Sequence, residues 1–265
     1  MDFSSPAGLS AMTPWVFVHG FLGTGQDWDA VQSALRARGW QAPAWAPDLP
    51  GHGRTPLGAA RPSYAAWSAW LDAYLDARGV RGPVVLVGYS LGGRLALAWA
   101  ARHPARVAGL ALLAAHPGLT DPQARAARAA QDDARAAMLR TQGLAAFLDA
   151  WYRLPLFALA ERPRLRAAVV ARRRRQDAAA LATVIAALSP GRQPPLWDAL
   201  ARLAPRTLYL AGGRDAKYRA LAADLASRFP DMRIAIISQA GHLLPLDAPE
   251  AVAAALYAWA HPRSS

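Results

Sequence analysis

The chain has 265 residues and no cysteine. That excludes a disulfide framework and a thiolate metal site. It has one lysine, Lys217, so 29 of its 30 basic residues are arginine. No run of about 18 uncharged apolar residues occurs, so no transmembrane helix is expected. The first 14 residues have neither a basic n-region nor an apolar h-region after it. They do not read as a signal peptide, and a cytoplasmic protein is the expectation. Charged residues make up only 18% of the chain, too few for a disordered or coiled-coil protein. No internal repeat and no low-complexity linker is evident.

What is present is apolar and basic. Hydrophobic residues reach 54%, enough for a large core. The length points to one domain, or one domain with a sizeable insertion. The net charge is +12. Such a balance prompts a nucleic-acid or membrane-surface reading. Arginine also grips carboxylates and phosphates in a bidentate way that lysine cannot. Its near-total use here is equally a compositional habit. No aromatic-interleaved sheet motif or recognition helix accompanies the charge, so neither a nucleic-acid nor a membrane partner is expected.

Along the chain, apolar runs at 15–18, 42–46, 83–88 and 107–114 predict buried strands. Helical spacing follows at 63–78, with Ser63 as N-cap, and at 91–102. The alternation resumes with a strand at 207–210, a helix at 216–228, a strand at 232–237 and a helix at 248–260. Strands apolar on both faces that alternate with helices indicate a parallel sheet covered by helices. From 118 to 204 there is no strand-like run. That stretch reads as helices broken at Gly143, Pro155, Pro163, Pro190-Gly191 and Pro194-Pro195. Its 14 arginines against seven acidic residues supply +7 of the net charge. The economical division is a core of 1–117 and 205–265 with a helical cap at 118–204.

Gly88-Tyr-Ser-Leu-Gly92 is a G-x-S-x-G pattern between a strand and a helix, the setting of a nucleophile elbow. Ser90 would sit at the carboxyl edge of the sheet. An elbow serine needs an acid and a base later in the chain, in that order. Asp215, in Gly212-Gly-Arg-Asp215, and His242, in Gln239-Ala-Gly-His242, both follow strands and would converge on that edge. The imidazole can take and return the serine proton while the carboxylate orients it. His19-Gly20-Phe21-Leu22-Gly23 follows the first strand. Such a turn can aim the Phe21 N–H at an oxyanion beside the N–H of Leu91. His103 and His261 read as surface residues, and His52 as a support for its own loop.

These residues resemble the α/β-hydrolase superfamily over nearly the whole chain. His19-Gly-Phe-x-Gly23 and Asp48-Leu-Pro-Gly-His-Gly53 are shared widely in it. Four further motifs narrow the resemblance to the 2-succinyl-6-hydroxy-2,4-cyclohexadiene-1-carboxylate synthases of menaquinone synthesis. They are Gly88-Tyr-Ser-Leu-Gly-Gly-Arg94, His116-Pro-Gly-Leu119 with the arginines after it, Ala150-Trp-Tyr152 with Pro155 and Phe157 following, and Gly213-Arg-Asp-Ala-Lys-Tyr-Arg-Ala-Leu221. Departures are Ala115 in place of a glycine, the stretch 119–123, and apolar Leu243-Leu244 after His242.

The resemblance implies an α/β-hydrolase fold, a mostly parallel sheet flanked by helices with an inserted helical cap. It implies a carbon–oxygen lyase that removes a proton and expels pyruvate, with no metal and no organic cofactor. Charge would develop on the conjugated carboxylate of a small polyanionic substrate. Arg94, Arg128 and Arg172 match the family's carboxylate-binding positions. Tyr89, Trp151 and Lys217 match others lining the site. Arg125, three residues before Arg128, shares its helix face and is a secondary candidate. A monomer or weak oligomer is expected. A serine esterase or thioesterase acting on a small ester, neutral or anionic, stands as the alternative, because triad and fold serve it equally.

Overall fold

The computed structural model describes residues 9–159 and 162–261. Most of the stretch read against a signal peptide therefore lies outside the described residues. Six strands form one parallel sheet in the order β2-β1-β3-β4-β5-β6. They are β1 (Trp15–Val18), β2 (Ala44–Trp45), β3 (Val84–Tyr89), β4 (Val107–Leu113), β5 (Thr207–Gly212) and β6 (Arg233–Ile237). Strands β1, β3 and β5 are buried at every position, as apolar runs covered on both faces require.

The helices are α1 (Asp29–Ala37), α2 (Tyr64–Asp76), α3 (Leu91–Arg102), α4 (Pro122–Trp151), α5 (Pro163–Arg173), α6 (Ala178–Ala187), α7 (Trp197–Leu203), α8 (Ala216–Arg228), α9 (Leu244–Asp247) and α10 (Pro249–Ala260). Helix α1 packs with α10, and α2 packs with α3. Ser63 caps α2 as expected, accepting the Ala66 N–H at 3.0 Å. Two differences from the sequence reading stand out. Strand β2 is only Ala44–Trp45, because Pro43 and Pro47 flank it and lack the N–H that a ladder needs. Helix α1 was not anticipated, since its polar residues mask the buried stripe Val31, Ala34 and Leu35.

Helices α4 to α7 fall between β4 and β5, and no strand occurs among the described residues there. Asp121 caps α4 through the Ala124 N–H, and Pro122 opens its first turn. Gly143 interrupts α4 with φ +80° and ψ 175°, a conformation that favours glycine. Asp177 caps α6 through two N–H groups.

Register decides where the chemistry gathers. Val18 lies opposite Gly88, Tyr89 opposite Leu113, Leu113 opposite Leu210, and Gly212 opposite Ile237. The carboxyl ends of β1, β3, β4, β5 and β6 therefore form one edge. The chain leaves β1 to one side, for β2, and leaves β3 to the other, for β4, so a switch point falls between β1 and β3. Crevices at such points are where open parallel sheets bind ligands.

Candidate active site

Ser90 occupies the turn between β3 and α3 at φ +53° and ψ −112°. A non-glycine residue held there stores strain of order 1–3 kcal/mol. The turn closes because Gly92 is bare: a Cβ on it would lie 2.2 Å from the Val18 carbonyl oxygen. The Ser90 N–H donates to the Leu113 carbonyl at 2.8 Å, which ties the elbow to β4.

His242 Nε2 lies 3.1 Å from Ser90 Oγ, and its Nδ1 lies 2.7 Å from Asp215 Oδ2. Asp215 is fully buried, and its other oxygen accepts the Tyr218 N–H at 3.2 Å as the N-cap of α8. The same carboxylate thus anchors the first turn of α8 and faces the imidazole. With Nδ1–H donating to Asp215, Nε2 is left as the acceptor that faces the serine hydroxyl. The imidazole sits among the rings of Tyr218, Tyr89 and Phe157, with centroids 4.8, 5.5 and 5.7 Å away. Its loop is braced twice. The His242 N–H donates to the Leu156 carbonyl at 3.2 Å, and the Gly241 N–H donates to Asp247 at 2.6 Å. Asp247 in turn pairs with Arg162, just before α5.

Phe21 follows β1 in the expected tight turn. Its ring packs edge-on against Trp151, 5.5 Å away, and against Phe147 and His52. Among the described residues, neither the Phe21 N–H nor the Leu91 N–H meets an internal acceptor. The turn is held from above. Gln176 donates to the carbonyls of Leu22 and Gly23, both at 3.1 Å. Asp27, just beyond, accepts both ends of the Arg173 guanidinium at 2.8 and 2.6 Å, and both side chains are buried. Burial works against the Arg173 charge, but Tyr152 and Asp27 hold its pKa above the ordinary range.

His19 and His52 pack edge to face beneath this turn. Burial pushes the His19 pKa down to about 4, so the ring is neutral. Its Nε2 accepts the Leu49 N–H at 2.9 Å, and Nδ1 lies 2.8 Å from the Gly20 carbonyl. His52 sits in the loop that it was expected to support. His103 is half-buried rather than on the surface, stacked on Trp99 and facing Asp72, because α3 turns it towards α2.

Two adjoining cavities meet at Ser90, and Phe21, Arg128, Trp151 and Tyr218 line both. Tyr89, Tyr152, Phe157, Lys217 and His242 line the first, and Leu91 and Arg94 the second. A third, outer cavity is lined by His116, Arg128 and Lys217. Lys217 sits at that mouth with part of its length in solvent, and packing of protein around its ammonium lowers its pKa, with Arg128 adding to the effect.

Arg94 is buried, and its partners are all neutral. Nη1 donates to the Tyr64 hydroxyl, to the Leu188 carbonyl at 2.8 Å and to Gln193 Oε1 at 3.4 Å. Arg128 donates through Nε to Asp132 at 2.8 Å. The structure thus brings Ser90, Asp215, His242, Phe21, Leu91, Tyr89, Arg94, Arg128, Trp151 and Lys217 together.

It does not bring in Arg172 or Arg125. Arg172 is exposed on α5 and lines none of these cavities. The expectation fails by one residue. A single step along a helix turns a side chain by about 100°, and Arg173 points inward instead, spent on Asp27. Arg125 is half-buried and away from the cavities, its helix face turned towards the 189–191 turn. Sequence reasoning missed Tyr64, Asp132, Arg135, Gln193 and Tyr218. Only Asp132 and Arg135 left a trace, four and seven residues after Arg128 on one helix stripe.

The Alpha/beta hydrolase family model matches residues 15–255. The 2-succinyl-6-hydroxy-2,4-cyclohexadiene-1-carboxylate synthase of Klebsiella pneumoniae subsp. pneumoniae is 37% identical, over 92% of this chain and 92% of its own. Protein PHYLLO, chloroplastic, of Arabidopsis thaliana is 31% identical over 91% of this chain, which spans 15% of that longer protein. The solved structure of MenH from S. aureus is 27% identical and superposes with a TM-score of 0.84, covering 93% of this chain and 92% of that one. The chain therefore belongs to the α/β-hydrolase family and, within it, to the 2-succinyl-6-hydroxy-2,4-cyclohexadiene-1-carboxylate synthases.

Proposed function

We propose that this protein eliminates pyruvate from 2-succinyl-5-enolpyruvyl-6-hydroxy-3-cyclohexene-1-carboxylate, leaving 2-succinyl-6-hydroxy-2,4-cyclohexadiene-1-carboxylate. The ring carbon that carries the succinyl group is acidic because a ketone adjoins it. Ser90 Oγ, with its own proton drawn to His242 Nε2, removes the proton from that carbon. Asp215 holds the imidazole in the required tautomer and balances its charge. Negative charge then builds on the succinyl carbonyl oxygen rather than on a carboxylate. The N–H groups of Phe21 and Leu91 are the donors for it, and one such donor is worth roughly 3 kcal/mol of barrier. Collapse of the enolate moves the double bonds along the ring and breaks the carbon–oxygen bond to the enolpyruvyl group. Enolpyruvate leaves and takes up a proton to become pyruvate.

The observation that carries the reading is Arg94. A buried guanidinium with only neutral acceptors, one helical turn from the nucleophile, lacks the counter-anion that burial demands. A substrate carboxylate supplies it, and an elbow built for a neutral ester has no use for it. Arg128 is the second carboxylate-binding residue, with Tyr89, Trp151 and Lys217 lining the same space. Residues 118–204 serve as the cap over a core of 1–117 and 205–265. A small polyanionic substrate, a cytoplasmic setting and a monomer or weak oligomer belong to the same reading. No helix among the described residues is long and apolar enough to cross a membrane.

The test is pyruvate release from the intermediate, followed by a coupled reduction. Release above the uncatalysed rate is expected, and Ser90→Ala and Arg94→Ala should each lose it. Fast turnover of simple neutral esters that survives Arg94→Ala, with no pyruvate released, would make the protein an esterase.

A further inference from the structure

The carboxylate of Asp132 is fully buried in a site that otherwise collects cations. It accepts three bonds: from Arg128 Nε at 2.8 Å, Arg135 Nη1 at 2.7 Å and Ser189 Oγ at 2.7 Å. Arg128 and Ser189 both reach Oδ2, and Arg135 alone reaches Oδ1, so Asp132 holds the Arg135 guanidinium in place. In charge, two guanidinium groups exceed what one carboxylate neutralises. Arg135 lines the cavity that holds Ser90 and His242, and its guanidinium lies over the Trp151 ring, 5.1 Å from the centroid. Only one of its five donors is engaged by Asp132. The rest of the fork remains for a ligand, stacked on an aromatic face that fixes its plane.

We propose that Arg135 is a third carboxylate-binding residue of this site, aimed and held by Asp132. The inference rests on the reaction proposed above for the identity of the ligand. Charge matching supports it. Arg94, Arg128, Arg135 and Lys217 line the cavities around Ser90, and among the described residues Asp132 is the one carboxylate lining them. Four positive charges against that carboxylate leave a surplus of three. The proposed substrate carries three carboxylates, on the succinyl group, the enolpyruvyl group and the ring. Without Arg135 one of them would enter a partly desolvated cavity unpaired. Arg135 thus acts in binding and takes no part in proton transfer.

Two measurements on the intact chain test this. In steady-state pyruvate release, Arg135→Met should raise KM about tenfold or more while kcat stays within about threefold, the pattern of lost uniform binding. Arg135→Lys should recover part of the loss, because it keeps the charge without the fork. Calorimetry with propane-1,2,3-tricarboxylate should show weaker binding by a similar factor in Arg135→Met, and little change in Arg125→Met. Unchanged KM and unchanged tricarboxylate binding in a folded Arg135→Met variant, with Arg135→Lys giving the same result, would overturn the inference. So would a fall in kcat at constant KM. If wild-type protein releases no pyruvate yet binds the tricarboxylate through Arg135, the reaction fails and the anion site stands. If it releases pyruvate with Arg135 irrelevant to both readouts, only the present inference fails.

Discussion

Ser90 pays for its position in backbone strain, and glycine adopts its φ of +53° freely. Ser90→Gly should therefore abolish pyruvate release while raising unfolding free energy by about 1 kcal/mol, read from urea titrations of both proteins. A second residue-scale effect follows from His19. Its folded pKa is about 4, below the ordinary 6.5. Between those values the unfolded chain binds a proton that the folded one refuses, so stability rises with pH across that window and is lost as pH falls. A shift of this size is worth roughly 3 kcal/mol. His52 is lowered in the same direction, chiefly by burial. Replacing His19 by Asn keeps a donor and an acceptor, and should flatten the slope of unfolding free energy against pH between 4 and 6.5. A slope unchanged from wild type would place that titration elsewhere.

At the scale of elements, the helices after β4 hold the turn that carries Phe21. Arg173 of α5 and Gln176 beyond it bind Asp27 and the carbonyls of Leu22 and Gly23. Asp27→Asn leaves a buried guanidinium without its counter-charge, which should cost about 3–5 kcal/mol in unfolding free energy. Pyruvate release should fall through kcat, because the Phe21 N–H loses its fixed aim. A loss confined to KM would separate the ion pair from the turn. The sheet and its helices were legible in the sequence because apolar runs and caps are local signals: α3 and α8 lie where spacing placed them. Ser90, Asp215 and His242 were legible because each follows a strand. The cationic residues that line the cavities around Ser90 were legible only in part. A run of four arginines carries no mark of helical register, so nothing local separates Arg172 from Arg173. Tyr64, Leu188 and Gln193 meet Arg94 from three distant segments, and no pattern in the chain joins them.

At the scale of the molecule, the net charge of +12 divides into two populations. Many arginines are spent on surface pairs such as Arg153 with Asp149 and Arg228 with Asp224, each worth little. A few line the cavities around Ser90. The preference for arginine has a practical result that concerns chemistry on the bench. Lys217 is the only side-chain amine in the protein, and it stands at the mouth of the cavity with a lowered pKa. An amine acylating reagent near neutral pH therefore finds one side chain to modify, apart from the chain's α-amino group. Mass spectrometry should find a single labelled side chain, activity should fall in step with labelling, and tricarboxylate should protect both. The enzyme comes with a uniquely addressable handle at its own doorway, where a fluorophore or a tether can report on what enters.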